Sequence, residues 1–223
     1  LVFLVFLLGK RCYFSSVAVN LNFPLDKKVI MIDPGHGGID GGTNKEGVLE
    51  KNINLAIALK LKKILDQKNV TVKLTRKEDK TLDQLNSRSS SRHLRDLWAR
   101  VEMINQKEID LFLSLHVNAG ASYLRGAKIF YRADNKELAY LLQNKLNNLK
   151  YKNINHPTNS PLAADYFILN HANPPRVIVE VGYITNPIDY KLLQQNDYQL
   201  VIAKTLSEGI EEYFSSFSFI WRN

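Results

Sequence analysis

Three apolar runs, each ending at a polar residue, most constrain this fold. Val29-Ile30-Met31-Ile32 breaks at Asp33-Pro34-Gly35-His36-Gly37-Gly38, Leu111-Phe112-Leu113-Ser114-Leu115 ends at His116, and Val177-Ile178-Val179 ends at Glu180 before Val181-Gly182. Short, nearly unbroken apolar runs read as strands covered on both faces. A polar group at the exit of such a strand stands where an open α/β sheet places its chemistry.

The segments between the runs carry helical spacing. Ile53, Ile57, Leu61, Ile64 and Leu65 recur every three to four residues, so Glu50 to Asp66 reads as a helix opened by Glu50. Leu94 to Gln106, Asn135 to Asn148, Pro187 to Gln194 and Asp197 to Phe214 read as further helices. Val70 to Thr75 and Ala127 to Tyr131 read as strands, and Tyr166 to Leu169 as a short one. Glu78 to Ser91 is polar and Ser-rich and reads as a surface loop; Asn153 to Pro161 is irregular. Strands alternating with helices argue for an α/β layer fold.

Leu1 to Leu8 is an apolar run followed by Gly9-Lys10-Arg11. It is too short to span a bilayer, which takes about 20 residues, and reads as the end of a signal peptide or membrane anchor. Residues 1–25 are therefore expected to be a partial leader or anchor plus linker, and 26–223 one catalytic domain. Cys12 is the only cysteine, which rules out an intramolecular disulfide and a Cys-based zinc site. Lys10 and Arg11 before it argue against lipidation there. The net charge of +8 favours anionic surroundings such as wall polymers or a membrane surface, although a solvated helix face accounts for much of it. The chain lacks a nucleic-acid motif with interleaved aromatics, so no nucleic-acid partner is expected.

His36, Glu50 and His116 would together supply two imidazoles and one carboxylate. Catalytic zinc takes three such ligands and leaves one position for water. Glu180 could then move the proton of that water. Each residue also has a plainer reading: His36 in a turn, His116 at a strand end, Glu50 as a first-turn helix carboxylate, Glu180 in a buried ion pair. Gly35-His36-Gly37-Gly38 lacks the Gly-Lys-Ser/Thr ending of a phosphate loop. His93, His156 and His171 are read as surface or structural, His171 being the one near the Glu180 strand in sequence.

Four ordered blocks narrow these alternatives: Asp33-Pro34-Gly35-His36-Gly37-Gly38, Leu49 to Leu55, Ser114-Leu115-His116-Val117-Asn118-Ala119, and Val179-Glu180-Val181-Gly182-Tyr183-Ile184-Thr185-Asn186. Together they resemble the zinc-dependent N-acetylmuramoyl-L-alanine amidases of the type 3 amidase family, over essentially Lys28 to Phe214. The resemblance implies one Zn²⁺ on His36, Glu50 and His116, with Glu180 as the catalytic carboxylate and Asn118 as a substrate contact. With the alternation above, it implies one α/β domain: a mixed, mostly parallel twisted sheet of about six strands, flanked by helices on both faces. The implied reaction is hydrolysis of the amide joining the lactyl group of N-acetylmuramic acid to L-alanine of the peptidoglycan stem. Leu97-Trp98-Ala99-Arg100 with Ile104-Asn105 resembles a family helix motif taken as mainly structural.

Within the family, the chain resembles the germination-specific spore cortex subgroup, which has an N-terminal membrane segment and no wall-binding repeats. That likeness implies an exported enzyme, anchored or in the wall or cortex space, with a lipoprotein activator and a downstream muramoyl deacetylase that forms muramic-δ-lactam. Membrane contact is expected only through the N-terminal segment. A vegetative autolysin and a non-catalytic wall binder are the competing readings.

Overall fold

A computed structural model describes residues 2–8, 11–17 and 25–220, with side chains placed within 25–216. Of the leader and linker expected over residues 1–25, residues 1, 9–10 and 18–24 lie outside the described residues. Within them, Val2–Leu8 (β1) and Arg11–Val17 (β2) pair antiparallel as a ribbon of their own.

The main sheet has six strands. In chain order they are Val29–Pro34 (β3), Thr71–Leu74 (β6), Leu111–Asn118 (β7), Lys128–Tyr131 (β8), Leu162–Ala163 (β9) and Arg176–Tyr183 (β10). The spatial order is β6-β3-β7-β10-β8-β9. The first four run parallel, β8 is antiparallel to β10, and β9 is parallel to β8. From β3 the chain builds first toward β6 and then returns to add β7 on the other side. Such a reversal leaves a crevice at the carboxyl ends of the strands, and His36 follows the end of β3 while His116 lies near the end of β7.

Helices cover both faces, as the sequence pattern anticipates. Glu50–Leu65 (α1), Lys136–Asn147 (α3) and Asn196–Ile220 (α6) pack on one face; Arg92–Ile104 (α2) and the short Phe167–His171 (α4) pack on the other. Pro187–Leu193 (α5) starts at Asn186, whose side chain accepts from the N–H groups of Ile188 and Asp189, with Pro187 in the first turn, where its missing N–H costs nothing. A two-residue hairpin, Asn44–Lys45 (β4) with Val48–Leu49 (β5), delivers the chain into α1.

Strand parity decides which residues meet which helices. Ile30, Ile32, Leu111, Leu113, Leu115, Val177 and Val179 join the core under α1, α3 and α6. Met31, Phe112 and Ile178 point to the opposite face. By the two-residue period, Asp33, Ser114, His116 and Glu180 share that second face, beneath α2 and α4.

The Tyr166 to Leu169 segment is corrected: Phe167–His171 is helical, not a strand. Leu162–Ala163 already occupies the free edge of β8, and the Ala164 N–H closes on the Tyr131 carbonyl at 3.0 Å. The following residues have no strand to pair with. They coil so that Phe167 packs edge-on against Trp98, with ring centroids 5.0 Å apart.

Candidate active site

His36 adopts a left-handed backbone (φ 61°), which few residues other than glycine accept. Two buried arginines hold the turn that imposes it. Arg76 donates to the carbonyls of Pro34 (2.9 Å), Gly35 (3.0 Å) and Lys51 (2.8 Å). Arg100 donates to the His36 carbonyl at 2.9 Å and to the carboxylates of Asp33 and Asp96. Asp33 is fully buried and also accepts from Thr75 and Ser114. Burial alone would raise its carboxyl; Arg100 and the two hydroxyls hold it below the usual range. Lys51 closes the outer side of the loop through the Gly38 carbonyl (2.7 Å) and Asp79 (2.7 Å).

The three expected ligands converge. Glu50 Oε1 lies 3.2 Å from His36 Nε2 and 2.9 Å from His116 Nδ1, and one ligand atom from each residue falls within 4.8 Å of the others. Glu50 Oε2 accepts from the Thr43 N–H (2.8 Å) and hydroxyl (3.1 Å), which orients the carboxylate. His36 Nδ1, turned away from Glu50, is held by Asp40 Oδ2 at 2.9 Å. A carboxylate on the outer nitrogen of a metal-binding imidazole is the usual supporting arrangement. Two glycines make the convergence possible. A Cβ on Gly35 would lie 2.2 Å from the His116 ring, and one on Gly42 (φ 66°) would lie 2.6 Å from Glu50 Oε2.

The two site glutamates sit in opposite electrostatic surroundings. Burial would raise Glu50, yet the His116 and His36 imidazoles hold its carboxyl well below the ordinary carboxylate range. His36 is raised to about 9: burial opposes this, but Glu50 and Asp40 outweigh it. Glu180, beside His116 in the parallel register of β10 on β7, is raised to about 7, chiefly by burial. Its Oε2 is buried with no hydrogen-bond partner among the described residues. An anionic carboxylate between two imidazoles suits a ligand, whereas one that holds its proton near neutrality suits a proton carrier. Two imidazoles and a carboxylate, with an orphaned carboxyl oxygen in the same cavity, fit a hydrolytic zinc ion.

Beside this cluster runs a cavity of about 370 Å³. His36, His116 and Glu180 line one end; Leu97 of α2 and Phe167 and Ile168 of α4 wall it, and His93 borders it. The sequence reading treats His93 as a surface or structural residue, so its place on the cavity is new. His156 and His171 do not line it; His171 stacks on Phe167 with centroids 4.2 Å apart. Asn118 also lies outside it, its side chain turned back onto the Ala119 N–H at 2.8 Å. Sequence reasoning missed Asp40, Arg76 and the Asp33–Arg100 pair. Only the spacing of Asp40, four residues after His36, offered a local signal.

A family profile described as N-acetylmuramoyl-L-alanine amidase matches residues 30–212. The germination-specific N-acetylmuramoyl-L-alanine amidase of Bacillus subtilis (strain 168) is 32% identical over 200 residues, covering 87% of this chain and 83% of that protein. The probable cell wall amidase LytH of Staphylococcus epidermidis is 30% identical over 212 residues, covering 88% of this chain and 65% of that protein. Among solved structures, the CwlD amidase from Clostridioides difficile, in complex with the GerS lipoprotein, aligns with a TM-score of 0.76 at 35% identity, covering 85% of this chain and 99% of that one.

Proposed function

The chain belongs to the N-acetylmuramoyl-L-alanine amidase family, and we propose that it hydrolyses its cell-wall substrate with one zinc ion held by His36, Glu50 and His116. Glu180 is the catalytic carboxylate. Zinc at this position supplies a water that ionises near neutral pH and polarises the scissile carbonyl. The side chains of the chain do the remaining work. Glu180, free at Oε2, takes the proton of the attacking water and delivers it to the amide nitrogen as the bond to L-alanine breaks. Asp40 fixes the His36 ring, and Arg76 and Arg100 fix the strained turn that carries it. The observation that carries this reading is the pairing of a three-ligand cluster with an unpartnered buried glutamate in one cavity. Asn118 is the substrate contact in this reading: its Oδ1 accepts from the Ala119 N–H, which leaves its amide NH₂ to donate.

The physiological setting we infer is spore cortex maturation and germination, with stem removal preceding muramic-δ-lactam formation by a separate deacetylase. Likeness to a germination-specific amidase and to an amidase whose structure is in complex with a lipoprotein supports this and suggests a lipoprotein activator. Residues 1–25 act as leader or anchor in this reading, and the enzyme works outside the cytoplasm. No helix among the described residues is long and apolar enough to cross a membrane. A vegetative role in wall turnover is the second reading, favoured by the likeness to LytH.

The test is mass spectrometry of muropeptides after the protein is incubated with peptidoglycan and Zn²⁺, beside Glu180→Ala and His116→Ala. Intact stem peptides beginning with L-alanine are expected from the wild type. Glu180→Ala should keep its zinc and lose about 10²- to 10⁴-fold in turnover. Unchanged turnover in Glu180→Ala, or normal zinc content in His116→Ala, overturns the assignment.

A further inference from the structure

Asn54 is fully buried on α1, one turn after Glu50, on a helix whose Ile53 and Ile57 join the apolar core. A leucine would suit that place better on two counts. Asparagine is the weaker helix former, because its side chain competes for backbone groups. Its Oδ1 is also buried with no hydrogen-bond partner among the described residues, which native interiors rarely tolerate. What Asn54 supplies that leucine lacks is an amide NH₂.

That NH₂ reaches two acceptors, the Gly35 carbonyl at 3.2 Å and Glu50 Oε1 at 3.3 Å. Its orientation is forced. Turned over, the amide would set Oδ1 against a carbonyl and a carboxylate, neither of which can donate. The orphaned oxygen is the consequence of aiming both donors at these two groups. Glu50 Oε1 is the oxygen that faces the imidazoles, 3.2 Å from His36 Nε2 and 2.9 Å from His116 Nδ1. Gly35 precedes His36 and packs so closely on the His116 ring that no Cβ fits between them.

The other donors to these acceptors serve one side or the other. Arg76 donates to the Gly35 carbonyl at 3.0 Å. The Val117 N–H donates to Glu50 Oε1 at 3.0 Å, and Thr43 holds Oε2. None of these three joins the carboxylate to the His36 turn; the Asn54 amide does.

We propose that Asn54 is a positioning residue for the zinc site, whose amide fixes the Glu50 carboxylate against the turn that carries His36 and so sets the spacing of the three ligands. The inference rests on the zinc reading above and adds a residue from outside the ligand set. Ligands already held at their spacing have less to reorganise when the ion binds. Loss of the amide is therefore felt in metal affinity rather than in the fold.

Asn54→Leu tests this, since it removes the donors at nearly constant size while Gly35 and Glu50 each keep another partner. The metal-free variant should unfold in urea at or above the wild-type midpoint, because an apolar group replaces a buried orphan. Its zinc affinity, measured by competition with a chelator, should fall about 10- to 100-fold. The visible absorption of the Co²⁺-loaded variant, which reports ligand geometry, should shift from that of the wild type. Asn54→Ala cannot overpack the site and should show the same loss of affinity if the leucine variant does not fold. Zinc affinity within about twofold of the wild type, with an unaltered Co²⁺ spectrum, overturns the proposal and leaves the zinc reading standing. Failure of both variants to fold without metal also overturns it, since Asn54 would then hold the fold itself. A wild type that takes up no zinc removes the zinc reading and the positioning role together.

Discussion

The two faces of the sheet are built on different principles. Under α1, α3 and α6 lies a continuous apolar core in which Ile57, Leu61, Leu111, Leu113, Leu206 and Ile210 are fully buried. Under α2 and α4 the apolar cluster is smaller, and the strands present Asp33, Ser114, His116 and Glu180 instead. On the first face, stability comes from apolar area removed from water. On the second, buried polar groups are held by other polar groups, and part of the space stays open. The second face gives up apolar burial in order to position chemistry, and it depends on the first to keep the sheet folded.

This contrast is sharpest at Arg100. Arg100→Met leaves Asp33 buried without its ion-pair partner, which should cost about 3–5 kcal/mol by urea denaturation. The His36 carbonyl also loses its donor, so zinc affinity should fall as well. Ile57→Ala, wholly within the apolar face, should cost a comparable 2–5 kcal/mol or so and leave zinc affinity as in the wild type. If Arg100→Met loses stability but binds zinc normally, the arginine is a structural clamp only, and the distinction between the faces weakens.

The second face should also make stability depend on pH when metal is absent. Glu180 is raised from 4.5 to about 7 in the folded chain, so between those values the folded state binds more protons than the unfolded one. Stability therefore falls as pH rises from about 4.5 to 7, by up to about 3 kcal/mol. His36 is raised from 6.5 to about 9; its contribution is complete below pH 6.5 and is lost as pH rises through 9. Urea titrations of the EDTA-treated protein at pH 5, 7 and 9 should show a continuous decline. Glu180→Gln should abolish the part below pH 7 and keep the part above it. Persistence of the lower part in that variant would assign the slope to another group.

The sequence carried the apolar face well and the polar face unevenly. The runs at Val29, Leu111 and Val177 became the central strands because a strand buried on both faces needs an unbroken apolar sequence. Their polar exits marked His36, His116 and Glu180, and the helical period after Glu50 placed the fourth residue. What holds these residues was not legible. Arg76 satisfies backbone carbonyls, and since every residue has a carbonyl, no pattern marks the ones an arginine will reach. Asp33 and Arg100 are 67 positions apart, a separation over which residue spacing carries no signal. Tyr166 to Leu169 has a composition that serves a strand or a helix equally, and the choice was made by an edge already taken.

Asp40 gives the smallest of the expected effects and the most discriminating one, because it touches the ligand cluster without joining it. Its side chain is 30% exposed and its partner is the outer nitrogen of His36. Asp40→Asn keeps the size of the side chain but removes the charge that favours a well-oriented, basic imidazole. Loss of such a supporting carboxylate should lower zinc affinity about 10- to 100-fold, measured by competition with a chelator of known affinity. Thermal stability of the metal-free protein should change far less than in Arg100→Met, since Asp40 lies at the mouth of the cavity and Arg100 in its floor. An affinity within twofold of the wild type would mean that the His36 turn, clamped by Arg76 and Arg100, already fixes the ring without help. The preorganisation of this face would then reside in its backbone rather than in its carboxylates.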